Sequence, residues 1–132
     1  MEIKYIEAPT KSGLRWNLSF IESNNQIPFD IKRVYYIYDL FDDWMQRWNH
    51  AHHNTKQVLF CINWKVKIWF DTWNEIQEFI LGKANKWVYI PPMVWHYMTD
   101  FSPWCILLVI ASEVYNENDY IREYASFRKL LK

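Results

Sequence analysis

Short runs of alternating apolar and polar residues, each broken by turn residues, dominate this chain of 132 residues. Successive side chains of a strand point to opposite faces of a sheet, so the alternation in residues 14–20 predicts a half-buried strand. Two such runs flank Asn63-Trp64 in residues 56–70 and predict a hairpin, and Pro91-Pro92 marks a rigid turn. Helical spacing is confined to the C-terminal end, at Tyr120, Tyr124, Phe127 and Leu131. The pattern predicts one all-β domain over residues 1–132, a sandwich or barrel closed by a short C-terminal helix.

Charge and composition argue against several classes of protein. The chain has 15 Lys+Arg against 15 Asp+Glu, and its pI is near 6.9, so it has no general attraction to nucleic acid or anionic membranes. The longest apolar run, Trp104–Ala111, is far shorter than the ~20 residues that span a bilayer. Charged residues without an apolar signal core follow Met1, which predicts a cytoplasmic protein. Cys61 and Cys105 lie in apolar runs, as buried thiols of a reducing compartment do.

The densest group of candidate catalytic residues is the segment RWNHAHH, residues 47–53. In a strand, His50 and His52 project from the same face. Imidazole exchanges protons near pH 7, and the guanidinium of Arg47 suits a phosphate. The segment therefore indicates proton transfer next to an anionic substrate, unless these are solvated histidines of a loop.

A second candidate is the corner that follows Pro91-Pro92. It holds Trp95 and His96, which suit a nucleotide base and a further imidazole, although a plain β-corner with a core tryptophan has the same sequence. A metal site is an alternative, because three-histidine, one-carboxylate sets of metal-binding barrels have a similar order. Here Gln57 stands where the carboxylate belongs, which weakens the binding of a hard divalent ion. The candidate ligands of such a site are His50, His52, Gln57 and His96.

Residues 33–38, RVYYIY, place phenols on both faces of a predicted strand. Tyr36 and Tyr38 share one face, whereas Arg33 and Tyr35 share the other. Most strand tyrosines are packing residues, so we expect one functional phenol among them.

The ordered set of these motifs resembles the sugar nucleotide 3,4-ketoisomerases of the cupin superfamily. The resemblance covers about residues 12 to 128. It is most specific in IKRVYYI, residues 31–37, and in Arg47-x-x-His50-Ala51-His52. Further matching segments are LSFIE at 18–22, YIPP at 89–92, Trp95-His96, and YNENDYIR at 115–122.

The resemblance implies a cupin-type jelly roll that needs neither metal nor cofactor and works as a homodimer. Members of this family act on dTDP-4-keto-6-deoxy-D-glucose and move its ketone from C4 to C3 through an enediol. The product is a dTDP-3-keto-6-deoxyhexose for deoxy-amino-sugar biosynthesis, as in lipopolysaccharide or S-layer glycans. This chemistry needs a placed base and a donor for the developing oxygen charge, and it needs no redox cofactor.

The resemblance also implies roles for individual residues. His50 is similar to the base that takes the C3 proton, and His52 with Tyr36 or Tyr38 would relay protons or stabilise the oxyanion. The expected pyrophosphate ligand is Arg47, with Arg15 and Arg33 as further candidates. Other expected substrate contacts are Gln57, Trp95 and His96.

Three other functions are compatible with the same residues. One is a cupin module that binds a nucleotide sugar without turnover, and another is a sugar nucleotide epimerase. The third is a metal-dependent cupin such as a dioxygenase, against which Gln57 argues.

The chain has 9 Trp and only 2 Gly. In the family pattern, glycine is expected at Trp16, Trp48, Trp64, Trp73 and Trp87, and Trp44 and Trp104 also lie in turn-like contexts. Such turns require φ above zero, where a Cβ costs about 1–2 kcal/mol. Either these turns adopt other geometries, or tryptophan replaces glycine at recurring turn positions, and the second interpretation is favoured. Met93 and Tyr97 also depart from the glycine and glutamate that the family pattern predicts.

Overall fold

The computed structural model describes residues 2–40 and 47–131, and it describes Arg47 and Trp48 by their backbone alone. The strands are β1 (Lys4–Glu7), β2 (Thr10–Ser12), β3 (Asn17–Ser19), β4 (Arg33–Leu40), β5 (Arg47–His52), β6 (Gln57–Cys61), β7 (Val66–Asp71), β8 (Ile76–Leu81), β9 (Lys86–Ile90), β10 (Trp95–Thr99), β11 (Cys105–Ala111) and β12 (Tyr120–Ile121). A 3-10 turn, Glu117–Asp119, precedes β12, and helix α1, Tyr124–Leu130, follows it. The predicted all-β fold with a C-terminal helix is confirmed.

Two five-stranded antiparallel sheets form the body of the fold. The first has the order β1-β9-β6-β11-β4, and the second has the order β12-β5-β10-β7-β8. Apolar side chains from both sheets form one buried cluster, which includes Leu59 and Leu107 of the first sheet and Ile68 and Phe70 of the second. The inner face of each sheet therefore lines the interior, and a residue's place in the alternation decides whether it reaches this interior.

Helix α1 covers part of the outer face of the second sheet. Ala51, Trp95, Ile121 and Phe127 form a separate buried cluster there. Among the described residues there is no helix that is long and apolar enough to cross a bilayer.

The predicted hairpin over residues 56–70 is wrong. β6 pairs with β9 and β11 in the first sheet, whereas β7 pairs with β8 and β10 in the second. The chain thus changes sheet at Asn63-Trp64 instead of folding back on itself. Both strands have a buried face, and each has a partner far along the chain.

Two further expectations need correction. Residues 14–20 are not a half-buried strand, because β3 spans three exposed residues and pairs only with β2. The C-terminal helix begins at Tyr124, since Tyr120–Ile121 pair with β5 as a strand. Asn116 caps the 3-10 turn, and its side chain accepts the Asn118 N–H. The sequence also predicts a loop from Phe41 to Arg47, which includes Trp44; residues 41–46 lie outside the described residues, and Arg47 begins β5.

Candidate active site

Three histidines meet on the inner face of the second sheet. His50 and His96 are register partners of the adjacent strands β5 and β10, and their ring centroids lie 4.5 Å apart. The ring of His52 lies 4.9 Å from that of His50 and 6.2 Å from that of His96. All three are buried, with exposed fractions of 2% for His50, 3% for His52 and 5% for His96. Strand alternation places His50 and His52 on one face of β5, and the pairing of β5 with β10 adds His96 to the same face.

Burial keeps two of these imidazoles neutral at pH 7. It lowers the pKa of His52 to about 4, although the carboxylate of Asp119 opposes the shift. It also lowers the pKa of His96 to about 4, and the nearby His52 adds to this effect. A neutral imidazole has one nitrogen that accepts a proton, so these groups are bases at neutral pH.

His52 and His96 each use Nδ1 for a hydrogen bond within the protein. The Nδ1 of His52 lies 3.2 Å from Oδ2 of Asp119, which is itself buried. The Nδ1 of His96 lies 3.2 Å from the carbonyl oxygen of Val94 and donates to it. Both rings are therefore held in place through Nδ1.

A buried phenol, Tyr35, reaches the interior from the first sheet. The amide Nε2 of Gln57 donates to the Tyr35 hydroxyl oxygen over 2.8 Å, and Gln57 is itself buried. Because Gln57 supplies the donor, the proton of the Tyr35 hydroxyl remains available for another acceptor. Burial raises the pKa of Tyr35 well above its ordinary value, and the neighbouring Tyr120 contributes to this, so Tyr35 stays a neutral donor.

Aromatic and cationic side chains surround this group of histidines. The ring of Tyr120 lies 4.4 Å from that of His52 and 5.3 Å from that of His50. The guanidinium of Arg33 lies over the Tyr35 ring at 5.0 Å and over the Tyr115 ring at 5.7 Å. A positive charge therefore stands beside the buried bases, where an anionic substrate benefits from it.

The structure does not bring every predicted site residue to the histidines. Tyr36 and Tyr38 lie on the outer face of β4, each 61% exposed. Trp95 points to the outer face of the second sheet, where it packs on Phe127 of α1 at 5.6 Å. Arg15 lies in the exposed turn between β2 and β3. The side chain of Arg47 lies outside the described residues.

Sequence reasoning missed Tyr35, Tyr120 and Asp119. Tyr35 had a signal, because it shares its strand face with Arg33, itself a candidate. Tyr120 and Asp119 had none beyond their place in the C-terminal segment, since they reach the site through the pairing of β12 with β5. The separation of 67 residues between His52 and Asp119 hides this contact from local patterns.

The described residues contain no group of three or more His, Cys, Asp or Glu side chains arranged to hold a metal ion. Gln57, the position of the missing carboxylate, is hydrogen-bonded to Tyr35. What the arrangement offers is several neutral bases, a phenolic donor and a nearby guanidinium. These groups suit proton transfers at a carbon next to a carbonyl, which need a base and a donor for the oxygen.

Comparisons with known proteins agree with this chemistry. A family model described as "FdtA: WxcM-like, C-terminal" matches residues 1–132. The chain is 44% identical over 131 residues to the TDP-4-oxo-6-deoxy-alpha-D-glucose-3,4-oxoisomerase of Aneurinibacillus thermoaerophilus, covering 99% of this chain and 94% of that protein.

Solved structures show the same likeness in three dimensions. QdtA, a sugar 3,4-ketoisomerase from Thermoanaerobacterium thermosaccharolyticum in complex with TDP, has a TM-score of 0.93 and 40% identity, over 97% of this chain and 93% of that one. A 3,4-ketoisomerase from Helicobacter canadensis has a TM-score of 0.94 and 36% identity, over 99% of this chain and 98% of that one. The expected cupin-type architecture is thereby confirmed.

Proposed function

Because this chain belongs to the FdtA, WxcM-like family of TDP-sugar 3,4-ketoisomerases, we propose that it converts TDP-4-keto-6-deoxy-D-glucose into a TDP-3-keto-6-deoxyhexose. The observation that carries the proposal is the set of three buried imidazoles on one inner face, with a buried phenol reaching the same interior. The reaction moves one carbon-bound and one oxygen-bound proton and needs no oxidant or reductant.

His50 is the base that takes the C3 proton. The C4 carbonyl acidifies this proton, and the electrons of the C3–H bond form the C3–C4 double bond of the enediolate. His50 is buried beside the rings of His52, His96 and Tyr120. Return of that proton to C4 completes the carbon part of the isomerisation.

Tyr35 is the phenol that donates to the developing charge on the C4 oxygen. Tyr36 and Tyr38, the phenols expected from sequence, point to the outer face of β4, whereas Tyr35 points inward and has its proton available. A donor in place before the charge develops needs no reorganisation during the reaction. Gln57 contributes by fixing the Tyr35 hydroxyl rather than by contacting the sugar.

The positive groups for the pyrophosphate are Arg33 and Arg47. Arg33 faces the interior from β4, and Arg47 begins β5, the strand that carries the two histidines His50 and His52. A planar guanidinium group binds phosphate oxygens through two parallel N–H···O hydrogen bonds. His96 lines the sugar site, whereas Arg15 and Trp95 would serve the substrate only if a second subunit or a movement brought them there.

A homodimer is the proposed assembly of the single domain over residues 1–132. The outer face of β4 exposes Val34 by 56% and Tyr36 and Tyr38 by 61% each. An apolar groove of about 350 Å³ continues this face to Trp104 and Ile106. Large exposed apolar patches typically mark association surfaces.

The proposed location is the cytoplasm, with which the free, buried thiols of Cys61 and Cys105 agree. There the product would serve the synthesis of a deoxy-amino-sugar for lipopolysaccharide or S-layer glycans.

The test is ¹³C NMR of labelled TDP-4-keto-6-deoxyglucose incubated with the purified chain. We expect the carbonyl signal to move from C4 to C3. A carbonyl that stays at C4 while C3 or C5 exchanges with solvent would indicate an epimerase instead. Saturable binding of TDP with neither change would indicate a binding module.

A further inference from the structure

Asp119 is a buried carboxylate placed directly behind one of the proposed bases. It ends the 3-10 turn before β12, and the pairing of Tyr120 with His52 fixes its position beside that histidine. The backbone joins the same arrangement, because the His53 N–H donates to the carbonyl oxygen of Asp119 over 2.9 Å. The contact thus follows from strand register and not from a flexible side chain.

Both carboxylate oxygens of Asp119 accept hydrogen bonds. Oδ1 accepts the Asn54 N–H over 2.8 Å. Oδ2 accepts the Thr55 N–H over 3.3 Å, the Thr55 hydroxyl, and Nδ1 of His52 over 3.2 Å. Burial raises the pKa of Asp119, but the hydrogen bonds from Thr55 and Asn54, and the positive charge that His52 gains in acid, outweigh burial and hold the pKa below its usual range.

An ionised carboxylate accepts hydrogen bonds and cannot donate one. The proton on the His52 ring must therefore lie on Nδ1, and Nε2 carries the lone pair. This Nε2 is buried and has no hydrogen-bond partner within the described part of the chain. The ring is consequently a base whose accepting nitrogen faces the interior.

We propose that Asp119 is a positioning residue: it fixes the tautomer of His52, the histidine whose proton relay the family resemblance implies, and so leaves Nε2 of His52 to accept a proton from an oxygen of the sugar. This inference rests on the proposed ketoisomerase function. In this scheme His52 moves the oxygen-bound proton, whereas His50 moves the carbon-bound proton.

The steps balance without any co-reactant. His50 takes the proton from C3, the C3–C4 double bond forms, and the carbonyl electrons move onto O4. Nε2 of His52 then takes the proton of the O3 hydroxyl, and a C3–O3 double bond forms. The carbon–carbon double bond takes the proton of His50 at C4, and His52 returns its proton to O4.

Several other ionisable groups face His52, so the pH dependence of kcat reflects the titration of all these groups together. His50 and His96 face it from β5 and β10, and Tyr120 from β12. The charges of Arg33 and Arg122 also act on it and favour the neutral ring. The test therefore compares variants instead of relying on one profile.

The test is Asp119→Asn, with Asp100→Asn as the matched control, because Asp100 is exposed and pairs with Lys67. The side-chain amide that D119N introduces can donate to Nδ1 of His52, which moves the ring proton to Nε2 and blocks the base. We expect kcat for ketone transfer to fall about 100-fold or more, with KM nearly unchanged. Exchange of the C3 proton with deuterated solvent should persist, because His50 performs it, and the pH profile of kcat should change.

Unchanged ketone transfer in D119N would overturn the proposal, and so would an equal loss of exchange and ketone transfer. If the unmodified chain makes no product, the proposed function fails instead. A second measurement does not depend on the variant's folding: ¹⁵N NMR of the unmodified chain should show His52 protonated on Nδ1. Protonation on Nε2 would contradict the assignment.

Three tryptophans in turns have the positive φ angles that favour glycine. Seven described non-glycine residues have positive φ; three are Asn or Asp, which tolerate this region, and one is Met93. The other three are Trp64 at 65°, Trp73 at 81° and Trp104 at 65°. Each lies in a connection between strands, where glycine is the residue that adopts such angles without cost.

We infer that these three positions are glycine in the protein's own cells and are encoded by UGA, a codon that different genetic codes read as tryptophan or as glycine. A single codon explains why tryptophan alone recurs at glycine-type turns while glycine is scarce. It also leaves Trp69 and Trp95, which lie in regular strands and pack there, as true tryptophans encoded by UGG.

Sequencing the codons of the gene, with mass spectrometry of peptides from the natively produced protein, tests this inference. We expect UGA and glycine at positions 64, 73 and 104, and UGG and tryptophan at positions 69 and 95. UGG or tryptophan at the three turn positions would overturn it.

Discussion

At the scale of single residues, strand alternation predicts which side chains share a face but not which face is inward. His50 and His52 were correctly placed on one face. For β4 the same rule separated Arg33 and Tyr35 from Tyr36 and Tyr38, and only the packed sheets show that the first pair faces the interior. Because this run is aromatic on both faces, its hydrophobic pattern does not decide the choice, and the one local signal is that Arg33 shares the face of Tyr35.

The Tyr35 hydroxyl gives the first prediction. Tyr35→Phe removes the donor to O4 without changing the packing of the ring, so kcat should fall by about 10²–10³. Gln57→Leu should reproduce part of this loss, because it releases the hydroxyl. Initial rates of the two variants measure the effect, and a larger loss in Y36F or Y38F than in Y35F would contradict the assignment.

The strained turn at Trp64 gives the second prediction. Trp64→Gly should raise the free energy of unfolding by about 1–2 kcal/mol, because the turn no longer forces a Cβ into the left-handed region. Trp69→Gly is the matched control and should lower it, since Trp69 lies in β7 and donates to Thr99. Urea denaturation measures both, and a destabilised W64G would show that the indole itself stabilises the turn.

Not every expected glycine position behaves in this way. Trp87 is buried in β9, stacks on Phe60 at 4.0 Å and donates to the carbonyl oxygen of Ala84. Its φ is not among the positive values of the described residues. Trp87 is therefore a core residue in this structure, although the family pattern has glycine at this position.

At the scale of elements, the site depends on which strands pair. The order β12-β5-β10 brings His96 and Tyr120 to the two sides of the β5 histidines. Sequence patterns identified β5, β10 and the C-terminal segment separately. They did not predict the pairings, because antiparallel partners distant in sequence have no shared local signal.

The buried histidines on these strands give the third prediction, a loss of stability in acid. His52 and His96 have folded-state pKa values of about 4 against an ordinary value of 6.5. Between these values the unfolded chain binds protons that the folded chain does not, so stability falls as the pH falls from about 6.5 to 4. Each group contributes at most about 1.4 kcal/mol per pH unit.

Urea denaturation at pH 5 and pH 7.5 measures this loss. His96→Gln should make the pH dependence shallower, because one of the two titrating groups is gone. A stability that is the same at both values, or that increases toward pH 5, would mean that these imidazoles are protonated in the folded protein.

At the scale of the whole molecule, the two sheets divide the site between them. The second sheet supplies the bases, and the first supplies Tyr35, Gln57 and Arg33. The sequence predicted the all-β architecture and, through the family resemblance, the reaction. It did not predict that the chain changes sheet at Asn63-Trp64, because a hairpin and a crossing have the same turn residues and the same flanking strands.

The exposed face of β4 gives the fourth prediction. If it is the dimer interface, Tyr36→Glu together with Tyr38→Glu should convert a dimer into monomers, because two charges would be buried without partners. Sedimentation equilibrium measures the mass, and Ile76→Glu and Ile80→Glu on exposed positions of β8 are the matched control. An unmodified chain that sediments as a monomer, or a double variant that remains a dimer, would contradict the interface.

The central claim is that His50 removes the C3 proton of a TDP-4-keto-6-deoxy sugar and that the ketone then moves to C3. ¹H NMR of TDP-4-keto-6-deoxyglucose in deuterated buffer, with the unmodified chain and with folded His50→Asn, tests it most directly. The account predicts a 3-keto product that carries deuterium at C4 with the unmodified chain, and neither product nor C3 exchange with H50N. C3 exchange at the unmodified rate in H50N would show that another residue is the base.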